Sequence, residues 1–203
     1  MKRGALYTRL NLTAVISVFL TVMFLFLPGC GSSSPDAAVC EIVVKDYGII
    51  TVTLDGISAP TTVSHFIKLA ESGAYDGSYF NRAQAGFVLQ GGAGAKDTST
   101  IKGEFASNGV SNDIKHEKGV ISMARATDPN SASSQFFIML ETNSTLDGNY
   151  AAFGRVTDGW DTVEKICSSV SPADYTEDYY GQAMGFLKSS SYILIETVRV
   201  VSK

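Results

Sequence analysis

Apolar and polar residues follow two regimes along the chain. Ala14 to Leu27 is an almost unbroken apolar run of 14 residues, preceded by Lys2, Arg3 and Arg9 and closed by Pro28-Gly29-Cys30. A basic start, a short apolar stretch and small residues at its end describe an export signal over residues 1–29. The run is shorter than the roughly 20 residues that a membrane-spanning helix needs. Gly31-Ser32-Ser33-Ser34-Pro35-Asp36 consists of residues that do not pack, so residues 30–39 read as a flexible tether. From Cys40 the periods become those of a folded domain, 40–203.

Ile42 to Lys45 and Ile49 to Leu54 read as strands around the turn Asp46-Tyr47-Gly48. After Ala59-Pro60, the residues Val63, Phe66, Ile67 and Ala70 recur at helical spacing, which predicts a helix from Thr61 to Ser72 with Gly73 as its stop. Short strands are predicted at Tyr79 to Arg82, Gly86 to Gln90, Gly119 to Arg125, Gln135 to Leu140 and Tyr150 to Val156. Trp160 to Cys167 reads as a second helix with Val163 and Ile166 inside, and Ser191 to Val201 as the final strand. Asp174 to Phe186 reads as a surface loop. Many short strands with two helices predict a mainly β architecture, an antiparallel barrel or sandwich with helices at its openings.

Composition narrows the function classes. Among 203 residues, 45% are hydrophobic and 18% charged, enough for one packed domain once the leading apolar run is set aside. A net charge of −4 without a clustered basic face argues against nucleic-acid binding. Leu27-Pro28-Gly29-Cys30 resembles a bacterial lipobox, which implies that Cys30 is lipidated and that the protein is anchored in the cell envelope. Gly31 after that cysteine implies the outer membrane, facing the periplasm, where two membranes are present. An ordinary cleaved signal or a short uncleaved anchor, with Cys30 incidental, is the competing reading. Cys40 and Cys167 then remain as an even pair in a compartment that permits disulfides, either bridged or as two buried thiols.

Two segments carry candidate chemistry. Tyr79-Phe80-Asn81-Arg82 followed by Gly86-Phe87-Val88-Leu89-Gln90-Gly91-Gly92 sets a cation, an aromatic ring and an amide on neighbouring strands. Ser131-Ala132-Ser133-Ser134-Gln135-Phe136-Phe137-Ile138 repeats the amide beside aromatics. Together they describe a shallow apolar pocket rimmed by Arg and Gln donors, suited to a peptide. Competing motifs fail: Gly91 to Lys96 lacks the Lys-Ser/Thr ending of a phosphate loop. His65, in a helix, and His116 are the only histidines and read as surface or packed side chains rather than as a metal site or a dyad with Cys167, and Ser131 to Ser134 lacks the glycine frame of a hydrolase elbow.

In order and spacing, Phe80-Asn81-Arg82, Phe87 to Gly92, Ser134-Gln135-Phe136-Phe137, Leu146-Asp147-Gly148 and Phe153-Gly154 resemble the cyclophilin family of peptidyl-prolyl cis-trans isomerases. Ala59 to Val63 and Gly119 to Ala124 extend the resemblance, which spans the chain from Cys40 to its end. It implies a closed eight-stranded antiparallel β-barrel capped by two α-helices. It also implies isomerisation of proline-containing segments of exported proteins by a monomer, with no cofactor and no metal.

The resemblance carries roles residue by residue. Arg82 matches the catalytic arginine, with Phe87 and Gln90 beside it. Gln90 is implied to hydrogen-bond the substrate backbone and to help hold the arginine. Phe87, Val88, Phe137 and Leu146 match the pocket for the proline ring. Ala124, Arg125 and Gln135 match the groove for residues preceding the proline, and Tyr150 stands where many relatives carry histidine. Asn81 likewise replaces a common histidine.

Overall fold

The computed structural model describes residues 35–177 and 183–203. The expected signal segment, residues 1–29, with Cys30 and residues 31–34 of the expected tether, therefore lies outside the described residues. Thirteen regular elements follow in order: β1 (Ala37–Val44), β2 (Gly48–Asp55), α1 (Pro60–Glu71), β3 (Tyr79–Phe80), β4 (Arg82–Gln84), β5 (Val88–Gly91), β6 (Val120–Met123), β7 (Phe136–Met139), β8 (Ala152–Asp158), α2 (Trp160–Ser169), β9 (Tyr175–Glu177), β10 (Ala183–Leu187) and β11 (Ile193–Ser202). Among the described residues no helix is long and apolar enough to cross a membrane.

The strands form one curled antiparallel sheet in the order β3-β11-β1-β2-β8-β6-β7-β5-β4-β10-β9. This corrects the expected closed eight-stranded barrel: the sheet is open and, among the described residues, has eleven strands. Two features cause the difference. The ladder breaks at Asn81, so that β3 pairs with β11 while β4 pairs with β5. The segment Asp174–Phe186, expected as a loop, instead supplies β9 and most of β10, which extend the sheet beyond β4. The curl still brings β3 back towards β5, where Tyr79 bridges Ala93 and the Asn81 N–H donates to the Gln90 carbonyl at 3.1 Å. The ordered strand also starts three residues before Cys40, the expected domain start. Strand β1 begins at Ala37, and Ala38 is 2% exposed, because alternation from the sheet continues past Cys40.

Helix α1 packs its apolar stripe, Val63, Phe66, Ile67 and Ala70, into the main core. There the Phe66 ring meets Tyr75 at 5.2 Å, Phe153 at 5.2 Å and Phe136 edge-on at 5.7 Å between centroids. Ala59, at the N-cap position, offers no side-chain acceptor, and Pro60 opens the helix. The acceptor comes from far along the chain. Glu104, 4% exposed, accepts from the Thr61 N–H at 2.9 Å, the Thr62 N–H at 2.8 Å and the Thr62 hydroxyl at 2.7 Å. The end of α1 closes with Gly73 in the left-handed region, φ 66°.

Strand β7 shows how the sheet makes two apolar layers. Phe136 and Ile138 enter the main core, whereas Phe137 and Met139 join Val88, Val120 and Ala152 in a second cluster on the other face. Alternation thus buries every residue of the strand and hides the period-2 signal in a continuous apolar run. Phe87, Ala124, Leu146 and Tyr150 edge this second cluster. Cys40 and Cys167 are free thiols rather than a bridge.

Candidate active site

Strand register assembles the site. Phe186 on β10 pairs with Arg82 on β4, Arg82 with Gln90 on β5, Gln90 with Phe137 on β7, and Phe137 with Ser122 on β6. Directly opposed residues of an antiparallel ladder project to the same face. One row across five strands therefore sets an aromatic ring, a cation, an amide, a second ring and a hydroxyl side by side. The next row, Gln84-Val88-Met139, adds an amide and two apolar side chains.

Above these rows lies a cavity of about 220 Å³ lined by Arg82, Phe87, Val88, Gln90, Ala124, Arg125, Phe137, Leu146, Tyr150 and Phe186. Nine of the ten residues singled out from sequence line it. Gln135 stands just behind: its side-chain oxygen accepts from Gln90 Nε2 at 2.9 Å, and its carbonyl from the Ala124 N–H at 2.9 Å. A larger, polar groove around Lys45, Asp46, Tyr47 and Tyr192 contains none of these residues.

Arg82 is half-buried and held from several sides. Its Nε donates to the Met184 carbonyl at 3.0 Å, and its Nη2 donates to the Gln84 side-chain oxygen. The guanidinium carbon lies 5.4 Å from the centre of the Phe87 ring and 4.8 Å from that of Phe186, within cation–π range of both. Burial lowers the Arg82 pKa from its usual value and the Tyr150 phenol opposes that shift. An arginine remains charged at neutral pH all the same. The role of holding the arginine, expected of Gln90, falls here to Gln84 and Met184, because the Gln90 amide is turned towards Gln135.

The apolar wall has its own support. His116, 1% exposed, lies parallel to the Phe137 ring, 6.0 Å away and tilted by 20°, and Tyr150 meets Phe137 edge-on at 5.7 Å. The His116 Nδ1 is 3.1 Å from Asp147 Oδ1 and its Nε2 3.1 Å from Ser122 Oγ. A carboxylate can only accept, so Nδ1 carries the proton and Nε2 accepts from the serine hydroxyl. Burial lowers the His116 pKa, with Asp147 pulling the other way. Burial raises the Asp147 pKa, but hydrogen bonds from the His116 backbone and ring outweigh it and the net shift is downward. Serine, histidine and aspartate are thus in line, yet Ser122 is fully buried beneath the pocket. The group braces the Phe137 wall and offers no nucleophile to solvent.

Arg125 is committed to the rim. Its Nε donates to the Asn149 carbonyl at 3.0 Å and its Nη1 to Ala126 and Thr127 carbonyls, while its guanidinium stacks on Tyr150 at 4.7 Å. Leu146 is placed by a 3-10 turn, Ser144–Leu146, in which the Thr145 N–H and hydroxyl both donate to the Asn143 side-chain oxygen, at 3.1 and 2.6 Å.

Sequence reasoning missed Gln84, Met184, Phe186 and His116. Gln84 was within reach, since a residue two after Arg82 in a strand shares its face. Phe186 carried little signal, because Gly185 interrupts its short segment. His116 could not be placed without knowing that Asp147 and Ser122 converge on it.

The sequence model of the cyclophilin type peptidyl-prolyl cis-trans isomerase family matches residues 39–180, ending before β10. The chain is 37% identical over 129 residues to a peptidyl-prolyl cis-trans isomerase of Streptomyces antibioticus, covering 59% of this chain and 77% of that one. It is 37% identical over 131 residues to peptidyl-prolyl cis-trans isomerase A of Dickeya dadantii, covering 62% and 69%. Among solved structures, a Cryptosporidium parvum cyclophilin type isomerase crystallised in the presence of the dipeptide Ala-Pro superposes with a TM-score of 0.62 at 25% identity, over 81% of this chain and 99% of that one. A Hirschia baltica cyclophilin superposes with a TM-score of 0.60 at 21% identity over 82% of this chain and 74% of that one, and shows the fold alone. An apolar cavity rimmed by a held arginine, on a cyclophilin fold and within a sequence that matches along most of its length, places the chain in the cyclophilin family: it is a peptidyl-prolyl cis-trans isomerase.

Proposed function

We propose that this isomerase assists the folding of exported proteins at the bacterial cell envelope, tethered through a lipid on Cys30, with residues 1–29 as the signal and the catalytic domain acting as a monomer. The basic start, the short apolar run and the lipobox-like Leu27 to Cys30 support the location. The catalytic reading rests on one observation above all: the Arg82 guanidinium is held at the rim of an apolar cavity of proline-accepting size.

The barrier to be lowered is the partial double bond of the prolyl amide, roughly 18–20 kcal/mol. Twisting the amide localises the lone pair on nitrogen. A hydrogen bond from Arg82 to that nitrogen strengthens as the nitrogen becomes pyramidal, so it stabilises the twisted state more than the planar one. Phe87, Val88, Phe137 and Leu146 enclose the proline ring, Gln90 meets the substrate backbone, and Ala124, Arg125, Gln135 and Tyr150 line the approach of the preceding residues. Uncatalysed isomerisation takes tens to hundreds of seconds. A turnover near 100 per second therefore requires about 5 kcal/mol of barrier reduction. A charge-assisted hydrogen bond contributes about 1.5–3 kcal/mol. Transfer of the twisted amide from water to an apolar wall supplies the rest.

The test is an isomerase assay on wild type, Arg82→Ala and Arg82→Lys. Arg82→Ala is expected to lower kcat/KM by at least tenfold and up to about a hundredfold, with Arg82→Lys falling between. A folded Arg82→Ala protein with wild-type turnover removes the arginine from the mechanism. Metabolic labelling with a fatty acid, compared between wild type and Cys30→Ala, tests the anchor.

A further inference from the structure

Strand β10 meets the rest of the sheet where the catalytic arginine stands. Phe186 pairs with Arg82, and the Leu187 N–H donates to the Asn81 carbonyl at 2.9 Å. Leu187 is buried in the main core and anchors the strand, which leaves its neighbour Phe186 on the opposite face. Gly185 permits the close approach: its φ is +77°, and a Cβ there would sit 2.5 Å from Gln84 Cβ. Behind β10, the Tyr175 hydroxyl of β9 donates to the Ala83 carbonyl at 2.9 Å, fastening the ribbon to β4.

Phe186 is 37% exposed, unusual for a phenylalanine, and what it exposes lines the cavity. It also ends the row that runs Phe186-Arg82-Gln90-Phe137-Ser122. With strands about 4.8 Å apart, the row is roughly 19 Å long. Ala124, just past β6, lines the cavity beyond the Ser122 end and Phe186 stands at the other, with Val88 and Phe137 in the same lining between them. A peptide whose preceding residues lie at Ala124 leaves the pocket across Phe186.

We propose that Phe186 is a specificity-determining residue of the isomerase, its ring forming the wall met by the residue directly after the proline and favouring apolar, above all aromatic, side chains there. The inference rests on the peptide direction given under the proposed function. Contact between the exposed ring and a substrate ring adds offset or edge-to-face attraction to apolar burial, whereas glycine gains neither.

The experiment measures cis-trans exchange of proline peptides by NMR with the full chain, free of any coupling protease. One peptide series carries Phe, Leu or Gly after the proline, and a second varies the residue before it. The wild type is expected to prefer Phe over Gly after the proline by roughly tenfold in kcat/KM. Phe186→Ala brings that ratio to near unity and leaves the ratios of the second series in place. Phe186→Tyr restores the preference and Phe186→Leu keeps the part due to apolar contact, so the reading survives if the alanine variant folds poorly. An unchanged ratio in Phe186→Ala overturns the proposal. So does a fall that is uniform across both series, which would reduce the ring to a prop for Arg82, and so does a change confined to the preceding residue. Arg82→Ala is measured on the same peptides: full activity there sinks the arginine reading, while the Phe186 ratio stands or falls on its own.

Discussion

Replacing Glu104 by glutamine changes almost no volume but removes an acceptor that helix α1 needs. In the wild type Oε1 takes the Thr61 N–H, and Oε2 takes both the N–H and the hydroxyl of Thr62, at 2.9, 2.8 and 2.7 Å. An amide has one acceptor oxygen. Set in the Oε2 position, it keeps the Thr62 contacts as neutral hydrogen bonds, and its NH₂ then faces the Thr61 N–H, donor against donor. One charge-assisted bond worth about 1.5–3 kcal/mol disappears and two others lose about half their strength, for a total near 3–6 kcal/mol. No cavity is created, so the loss isolates the electrostatic and hydrogen-bonding role. For a domain of this size that corresponds to a fall in Tm of about 6–24 °C. Urea unfolding followed by circular dichroism measures it, with the midpoint expected to move at constant m. The pocket lies on the far face of the sheet from α1, so kcat/KM is expected to hold below the new Tm. A loss below about 1 kcal/mol at unchanged m would refute the assignment of Glu104 as the helix cap.

Stability is expected to fall with acid in two stages. The His116 pKa is lowered in the folded state from 6.5, so as the pH drops through that value the unfolded chain takes up a proton that the native state refuses. That contribution is complete above about pH 7.5 and declines below 6.5, with a slope of at most about 1.4 kcal/mol per pH unit. The Asp147 pKa is lowered from 3.8, and its contribution, present above that value, is lost as the pH falls through the folded-state pKa. Unfolding free energies from pH 4.5 to 8 for wild type and His116→Gln check the first stage, and an equal slope near pH 6 in both would refute it. Both thiols are expected to alkylate slowly at pH 8 in the folded protein and fast in denaturant. Burial, then the charge of Glu71, pushes Cys40 up to about 12, and burial, then Glu164, pushes Cys167 up to about 11. Peptide mapping after timed iodoacetamide labelling reads each site, and fast native labelling at Cys40 would contradict its burial.

Much of this protein was legible one residue at a time. The spacing of Val63, Phe66, Ile67 and Ala70 determines a helix with one apolar stripe, and Pro60 and Gly73 mark its ends, because backbone chemistry at those positions is local. The Phe87-to-Gly92 and Gln135-Phe136-Phe137 clusters identify the family, since side-chain chemistry at those spacings is itself the signature. What a period of two cannot specify is the partner. It says that Arg82 and Gln84 share a face, or that Phe136 and Phe137 do not, but leaves open which strand lies alongside and in what register. The row from Phe186 to Ser122, the Glu104 carboxylate over α1, and the His116 brace behind Phe137 join residues far apart in the chain. Long-range pairing and burial alone set them. The ribbon made by β9 and β10 is the sharpest case: its residues look like a loop because Gly185 breaks their alternation, and that same glycine lets the strand close onto Gln84 and set Phe186 against Arg82.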